Sequence, residues 1–161
     1  MTDGSRFRAM NIVDDDFSHP AVKALLAEHM QGMVEHCPPG SIHSLDLDGL
    51  QSPDVSFWTA WVDQDLLGCA ALKELDRRHG EIKSMRTARK HLGKGVAAEL
   101  LRHIISVARD RGYGQLSLET GSGPAFEPAH ALYQKFGFEF CGPFHDYGPD
   151  SSSRFMTRRL D

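Results

Sequence analysis

The sequence predicts an α/β fold on a mixed sheet that is antiparallel early and partly parallel late. Two patterns carry that expectation. The first half reads as a strand, a helix and then three strands joined by short turns; in the second half strands alternate with helices, which places parallel neighbours in a sheet. The length of 161 residues, with 40% hydrophobic and 25% charged residues, suits one domain over residues 1–161 with its own core.

Taken in order, Phe7–Val13 reads as a short strand and Asp14–Ser18 as a polar turn, with Asp14-Asp15-Asp16 solvated. Ser18 is the expected N-cap of a helix from about His19 to about His36. Pro20 is tolerated in its first turn because the missing N–H has no partner there. Ala21, Val22, Leu25, Leu26, His29, Met30 and Met33 recur at helical spacing, and Pro38-Pro39-Gly40 ends the run. Ser41–Pro53 stays open between a short helix and a covering loop, with Leu45, Leu47 and Leu50 as its apolar residues.

Val55–Val62 and Leu66–Leu75, interrupted by Asp63-Gln64-Asp65, form a hairpin pattern. After the charged turn Asp76–Gly80, Glu81–Thr87 is a strand. Simple alternation puts Ile82, Ser84 and Arg86 on one face and Glu81, Lys83, Met85 and Thr87 on the other. From Val96 to Arg111 an apolar stripe of Val96, Leu100, Leu101, Ile104, Ile105 and Ala108 predicts a long helix closed by Gly112. Leu116–Glu119 is a short buried strand and Ala129–Phe136 a helix ended by Gly137. Phe138–Cys141 and Arg154–Leu160 are the last strands, with a Gly/Pro/Ser loop between them.

Composition excludes some functions. The 18 basic against 22 acidic residues give a net charge of −4, which disfavours a nucleic-acid partner. There is no run of about 18 apolar residues to span a membrane, and the start MTDGSRFRAM lacks the apolar stretch of a signal peptide. Cys37, Cys69 and Cys141 are odd in number and widely spaced, as in a reduced cytoplasmic protein, and Cys69 and Cys141 lie in apolar contexts that read as buried packing thiols. His29 and His36, with Cys37 adjacent and His43 beyond, miss the close spacing of metal ligands, so no metal is expected.

The informative segment runs Met85-Arg86-Thr87-Ala88-Arg89-Lys90-His91-Leu92-Gly93-Lys94-Gly95-Val96-Ala97. A strand ends, a basic loop follows, and a long helix starts just after two closely spaced glycines. The first turn of a helix leaves N–H groups unpaired, and the macrodipole adds partial positive charge. Gly93 and Gly95 let backbone approach a ligand, and Arg89, Lys90 and Lys94 add charge. The segment is suited to phosphate. It is neither a Walker A loop nor a Rossmann fingerprint.

Lys90-His91-Leu92-Gly93-Lys94-Gly95 resembles the Q/R-x-x-G-x-G/A acetyl-CoA signature of GNAT acetyltransferases, with Lys90 in the first slot and Arg89 beside it. Ala129-His130-Ala131-Leu132-Tyr133-Gln134-Lys135-Phe136-Gly137-Phe138 is similar to the A-x-x-L-Y-x-x-x-G-F signature of the same family. Phe126 and Glu127 occupy the region where many members carry Asn. The resemblance covers Phe57 to Leu160 well and the first helix in outline. It implies a mostly antiparallel central sheet splayed between its two middle strands and flanked by helices, with acetyl-CoA as acyl donor.

It also implies roles. The cofactor would lie against Met85, Arg86 and Thr87 and against Arg89 to Ala97, which include His91, Leu92 and Val96. Tyr133 would face the sulfur and return a proton to it, and the backbones of Met85 and Thr87 would serve the carbonyl. Glu81 is the candidate general base, with Glu119 its rival. Glu28, Glu35, Asp46 and Asp48 would form a negative wall on the acceptor side, favouring a cationic amine on a small molecule. A protein N-terminus or lysine as acceptor, or a non-catalytic acyl-CoA-binding role, are the alternatives. Homodimers are common in the family.

Overall fold

The computed structural model describes residues 10–41 and 47–160. Seven strands form one sheet in the order β1-β2-β3-β4-β5-β7-β6. They are β1 (Asn11–Asp14), β2 (Val55–Val62), β3 (Asp65–Asp76), β4 (His79–Thr87), β5 (Gln115–Gly121), β6 (Glu139–Cys141) and β7 (Ser153–Arg159). The helices are α1 (Pro20–His36), the single turn α2 (Leu47–Leu50), α3 (Val96–Asp110) and α4 (Glu127–Lys135). β4 and β5 are parallel, and every other neighbouring pair is antiparallel. α3 makes the crossover between β4 and β5, as a parallel connection requires.

Strand alternation sorts the core into two layers. On one face Trp58, Ala60, Ala70, Leu72, Ile82, Leu118 and Met156 pack with α3 and α4. On the other, Phe57, Cys69 and Ala71 pack with Val22 and Leu25 of α1 and Leu50 of α2. All six residues of the predicted α3 stripe are buried. Leu47 and Leu50 lie on α2, which resolves the open stretch after α1 in favour of a helical turn there; Leu45 and Asp46 lie outside the described residues.

Local details depart from expectation in three places. The N-cap of α1 is His19, whose Nδ1 accepts the Ala21 N–H at 3.0 Å. Ser18 instead donates its backbone N–H to Asp16 Oδ1 at 3.0 Å, because the acidic turn competes for it. Cys141 is only half-buried, since β6 is an edge strand. Simple alternation also fails in β4. Ala71 pairs with Lys83 but Cys69 pairs with Arg86, so β4 carries one extra residue. Ser84 takes it up at φ 53°, in the left-handed region, as a bulge. Beyond the bulge the faces exchange. Arg86 joins Glu81 and Lys83 on the α1 side, while Met85 packs with Ile82 toward α3.

The parallel ladder is short. His79–Ile82 pair with Gln115–Leu118, and pairing stops there. From Lys83 and Glu119 onward the two strands diverge. Gly68, opposite Thr87, brings β3 close to this end of β4: a Cβ added there would lie 2.7 Å from the Arg86 carbonyl oxygen and 2.9 Å from Val96 Cγ1. Gly68→Ala is expected to destabilise the protein by about 1–3 kcal/mol, by overpacking against backbone that cannot yield. Gly40→Ala, where a Cβ meets open space, is the control and should leave stability unchanged or slightly raised. Urea denaturation of the two variants checks this; equal midpoints would contradict it.

Candidate active site

The divergence of β4 from β5 opens a cleft of about 130 Å³ that runs through the sheet. Residues from both faces therefore line one space. His29, Met33 and Cys37 come from α1 and its C-cap, Glu81 to Met85 from β4, Leu118 to Gly121 from β5, and Phe126, Ala129 and Tyr133 from the α4 region. The backbone edges of residues 83–87 and 119–121 have no ladder partner across the gap, and unpaired backbone N–H and C=O groups are strong sites for a ligand. Ser84 Oγ is buried at the bulge and has no hydrogen-bond partner among the described residues.

Tyr133 is 5% exposed and its ring packs edge-on against Phe138, with centroids 5.6 Å apart. Burial pushes its phenol well above the usual tyrosine range, so it stays protonated. Glu81 is 3% exposed on the opposite side of the cleft. Its Oε2 accepts from Lys83 Nζ at 3.2 Å and from the Tyr147 hydroxyl at 2.5 Å, and Lys83 Nζ also donates to the Tyr147 oxygen at 3.0 Å. Tyr147 comes from the β6–β7 loop. It is seated there by the rings of Phe144 and Phe155, at 5.1 and 5.4 Å between centroids. Burial, and then the Glu81 charge, raise its phenol above the ordinary range.

Neutral groups fill much of the remaining wall. Burial, with the Arg86 guanidinium adding repulsion, lowers His29 to about 4, so its imidazole is uncharged at neutral pH. Burial raises the Cys37 thiol, and the carboxylates of Glu119 and Asp150 raise it further. The negative wall expected from α1 does not face the cleft. Glu28 is held by Arg86 at 3.0 Å and lies 3.8 Å from Arg89 Nε. Glu35 pairs with Gln31 at the surface, and Asp48 is exposed on α2. The carboxylates in the cleft are Glu81 and Glu119.

The basic loop starts α3 at the end of β4. Gly93 and Gly95 have φ of 79° and 82°, and a Cβ on either would meet nothing within 4 Å. Residues 92–95 are exposed, and the N–H groups in the first turn of α3, at Val96 to Ala98, precede the first intrahelical bond, Glu99 N–H to the Gly95 carbonyl. The side chains near them are less uniform than a row of solvated cations. His91 is buried and held neutral by burial and by the nearby lysines, and its Nδ1 lies 3.0 Å from Lys94 Nζ. Lys94 is thereby tied to the loop, while Lys90 and Arg89 extend to solvent. The Arg86 side chain turns to α1 and leaves only its backbone on the β4 edge. Thr87 lies opposite Gly68 at the end of the β3 ladder, and Val96 is buried beneath the loop.

Lys83 and Tyr147 were not legible as site residues. Tyr147 lies in a loop without periodicity, and its only signal was an aromatic residue near Phe144 in a Gly/Pro/Ser segment. Among the described residues, no cluster of three or more His, Cys, Asp or Glu is arranged to hold a metal, and no helix is long and apolar enough to cross a membrane.

A helix terminus with open glycine faces, set beside a splayed parallel strand pair, defines an α/β protein with a cleft between its strands, and the features of that terminus suit a phosphate-bearing ligand. The chain belongs to the acetyltransferase (GNAT) family, whose model matches residues 19–138. It is 55% identical, over 94% of this chain and 100% of the relative, to the uncharacterized N-acetyltransferase YsnE of Bacillus subtilis (strain 168). It is 51% identical to the uncharacterized N-acetyltransferase YedL of Escherichia coli (strain K12), over 92% of this chain and 94% of that one. The crystal structure of a Klebsiella pneumoniae protein assigned as an acyl-CoA N-acyltransferase matches with a TM-score of 0.79 and 28% identity, covering 96% of this chain and 99% of that one. The protein is an acetyl-CoA-dependent N-acetyltransferase. The free N–H groups, the open glycine faces and the orphaned Ser84 hydroxyl all fit such a donor.

His29 makes stability depend on pH. Its folded-state pKa is lowered, so the unfolded chain takes up the proton first as pH falls. The stabilisation is complete above pH 6.5 and is lost as pH falls toward 4. The shift from 6.5 to about 4 is worth about 3 kcal/mol. Unfolding free energies in urea should therefore fall more steeply with acidification for wild type than for His29→Gln, by about that amount over this window. The other buried histidines are common to both proteins and cancel in the difference. Parallel curves would contradict a neutral His29.

Proposed function

We propose that this enzyme transfers the acetyl group to a primary amine on a small molecule, by direct attack within a ternary complex. The observation that carries this reading is that one cleft holds the Glu81 carboxylate on one strand and the protonated Tyr133 hydroxyl on the helix across the gap. A primary ammonium has a pKa of about 10 and must lose a proton before it can attack. Glu81, directly or through a water, takes that proton. Acetyl-CoA, when bound, would supply a thioester carbonyl for attack; Tyr133 would give its hydroxyl proton to the departing sulfur and regain one from the nitrogen, which sheds its second proton as the amide forms. Backbone groups of Met85 and Thr87 on the unpaired β4 edge face the carbonyl, where donors matter most as charge develops. The N–H groups of Gly93, Lys94, Gly95, Val96 and Ala97 would hold the pyrophosphate, with Arg89, Lys90 and Lys94 supplying charge and His91 anchoring Lys94.

Two features support the acceptor class and the order of events. His29 and Met33 of α1 and its C-cap Cys37 wall one side of the cleft, which restricts the room for an acceptor. His36 closes the rim against Phe126, with ring centroids 6.3 Å apart. The thiol that lines the cleft, Cys37, is held protonated and is a poor nucleophile, which favours direct transfer over an acyl-enzyme. Initial rates with a free-thiol readout test this reading. Intersecting double-reciprocal lines are expected for donor and amine, and parallel lines would overturn direct transfer.

Two sets of variants test the roles. At a hundredfold excess of acetyl-CoA over its dissociation constant, wild type should gain about 2.7 kcal/mol of stability, read as a raised melting temperature. Gly95→Trp should lose that shift, because the side chain fills the phosphate space. A retained shift would move the pyrophosphate elsewhere.

Tyr133→Phe keeps the packing but should lower kcat on the order of 10²-fold with little change in acetyl-CoA affinity. Glu81→Gln should lower kcat and move the pH–rate profile upward, as hydroxide takes over deprotonation. An unchanged profile would exclude Glu81 and promote Glu119 or a water chain.

A further inference from the structure

The group that contacts Glu81 most closely does not come from the cofactor side of the fold. Tyr147 lies on the loop between β6 and β7, and its hydroxyl is 2.5 Å from Glu81 Oε2. Lys83 Nζ reaches the same oxygen at 3.2 Å and the Tyr147 oxygen at 3.0 Å, so three polar groups close a triangle. Oε2 thus receives two donors, while Oε1 has no partner among the described residues. The phenol cannot compete for the acceptor's proton, because burial and the Glu81 charge keep it protonated. Toward Glu81 it acts as a donor, while its oxygen accepts from Lys83.

The loop is built to hold that hydroxyl in place. Tyr147 N–H bonds the Phe144 carbonyl at 3.0 Å across a turn in which His145 has φ of 53°. Phe144 and Tyr147 both pack on Phe155 of β7, with centroids 5.9 and 5.4 Å away. The far end of the loop is tied to the end of β5 by Ser122 N–H to the Ser152 carbonyl and by Ser122 Oγ to the Ser151 carbonyl, each at 3.0 Å. Strand β7, paired with β5 along its length, therefore carries the loop to the mouth of the splay.

We propose that Tyr147 is the positioning residue for the general base: with Lys83 it occupies Oε2 of Glu81, fixes the carboxylate plane and leaves Oε1 to take the acceptor's proton. This rests on the assignment of Glu81 as base. In the step, a lone pair of Oε1 forms an O–H bond as the acceptor ammonium gives up one N–H proton, leaving a neutral amine and a carboxylic acid. The titratable groups around the carboxylate are Lys83 and His79 on its own strand, Lys73, its register partner on β3, Tyr147 on the loop, Glu119 on β5 and His29 on α1. His79 is held below its usual range by burial, so Lys83 is the cation in contact with Glu81.

Kinetics of Tyr147→Phe, Glu81→Gln and the double variant test the proposal. Tyr147→Phe retains the ring and its seat between Phe144 and Phe155. It should lower kcat on the order of tenfold, the scale of one hydrogen bond to a charged group, with KM for acetyl-CoA unchanged. The acidic limb of its pH–rate profile should move to higher pH, since a buried carboxylate that loses a donor is more readily protonated. In the Glu81→Gln background the same change should cost nothing further. An unmoved limb, or an equal loss in both backgrounds, would make Tyr147 a packing residue and overturn the proposal while Glu81 remains the base. If Glu81→Gln itself leaves the profile as in wild type, the base assignment fails and this proposal falls with it.

Discussion

The end of pairing between β4 and β5 after Ile82 and Leu118 organises everything else in this protein. A sheet interior normally satisfies its backbone groups with its own ladder, and leaving a stretch of two central strands unpaired is costly unless something else bonds those groups. The bulge at Ser84 bends and re-faces β4 at the point where the strands part. One inserted residue has three effects. It places Met85 in the α3 layer, sends Arg86 to Glu28 on α1, and leaves the Ser84 hydroxyl buried in the gap without a partner. The ligand-binding edge and the attachment of α1 to the sheet thus come from the same local irregularity.

Because the gap passes through the sheet, it joins two environments of different character. The α4 side offers Tyr133 in an apolar setting next to Phe138. The α1 side offers Glu81 among donors. A group that gives a proton is best kept neutral and dry, and one that takes a proton needs an ionised oxygen held by its neighbours. His29 and Cys37 complete the wall as uncharged groups. The charge of the cleft is thereby concentrated in Glu81, Lys83 and Glu119 and is not spread along α1.

How much of this could be read from residues alone follows from the range over which each feature is determined. The α3 stripe and the glycine turn before it are local, and periodicity together with Gly93 and Gly95 located them to the residue. The hairpin from Val55 is equally local. The helix cap is also local but was decided by competition, since Asp16 engages the Ser18 N–H and leaves the capping to His19. The bulge could not be read, because nothing in Lys83-Ser84-Met85 breaks a β pattern; the extra residue becomes visible only when β3 supplies the register. Glu28 was misplaced for the same reason. Its partner Arg86 reached the α1 face only through the bulge.

Tyr147 shows the other limit of local reading. It is 66 residues from Glu81 in sequence, and no periodic element carries it. What brings the two together is the sheet order, in which β7 follows β5 across the splay and pairs with it as far as Gly121 and Ser153. The proposed donor end of the cleft is encoded by contiguous residues that run from β4 into α3. The proposed acceptor end is assembled from α1, β5, the Phe126 turn and the loop before β7, each reaching the opening independently. On that proposal a change of acceptor can proceed through residues that leave the glycine turn before α3 untouched. Under the base role proposed above it has to keep a donor on Oε2 of Glu81, because removing one from a carboxylate 3% exposed leaves a buried charge short of a partner. That requirement links the course of the β6–β7 loop to the chemistry more tightly than its irregular sequence suggests.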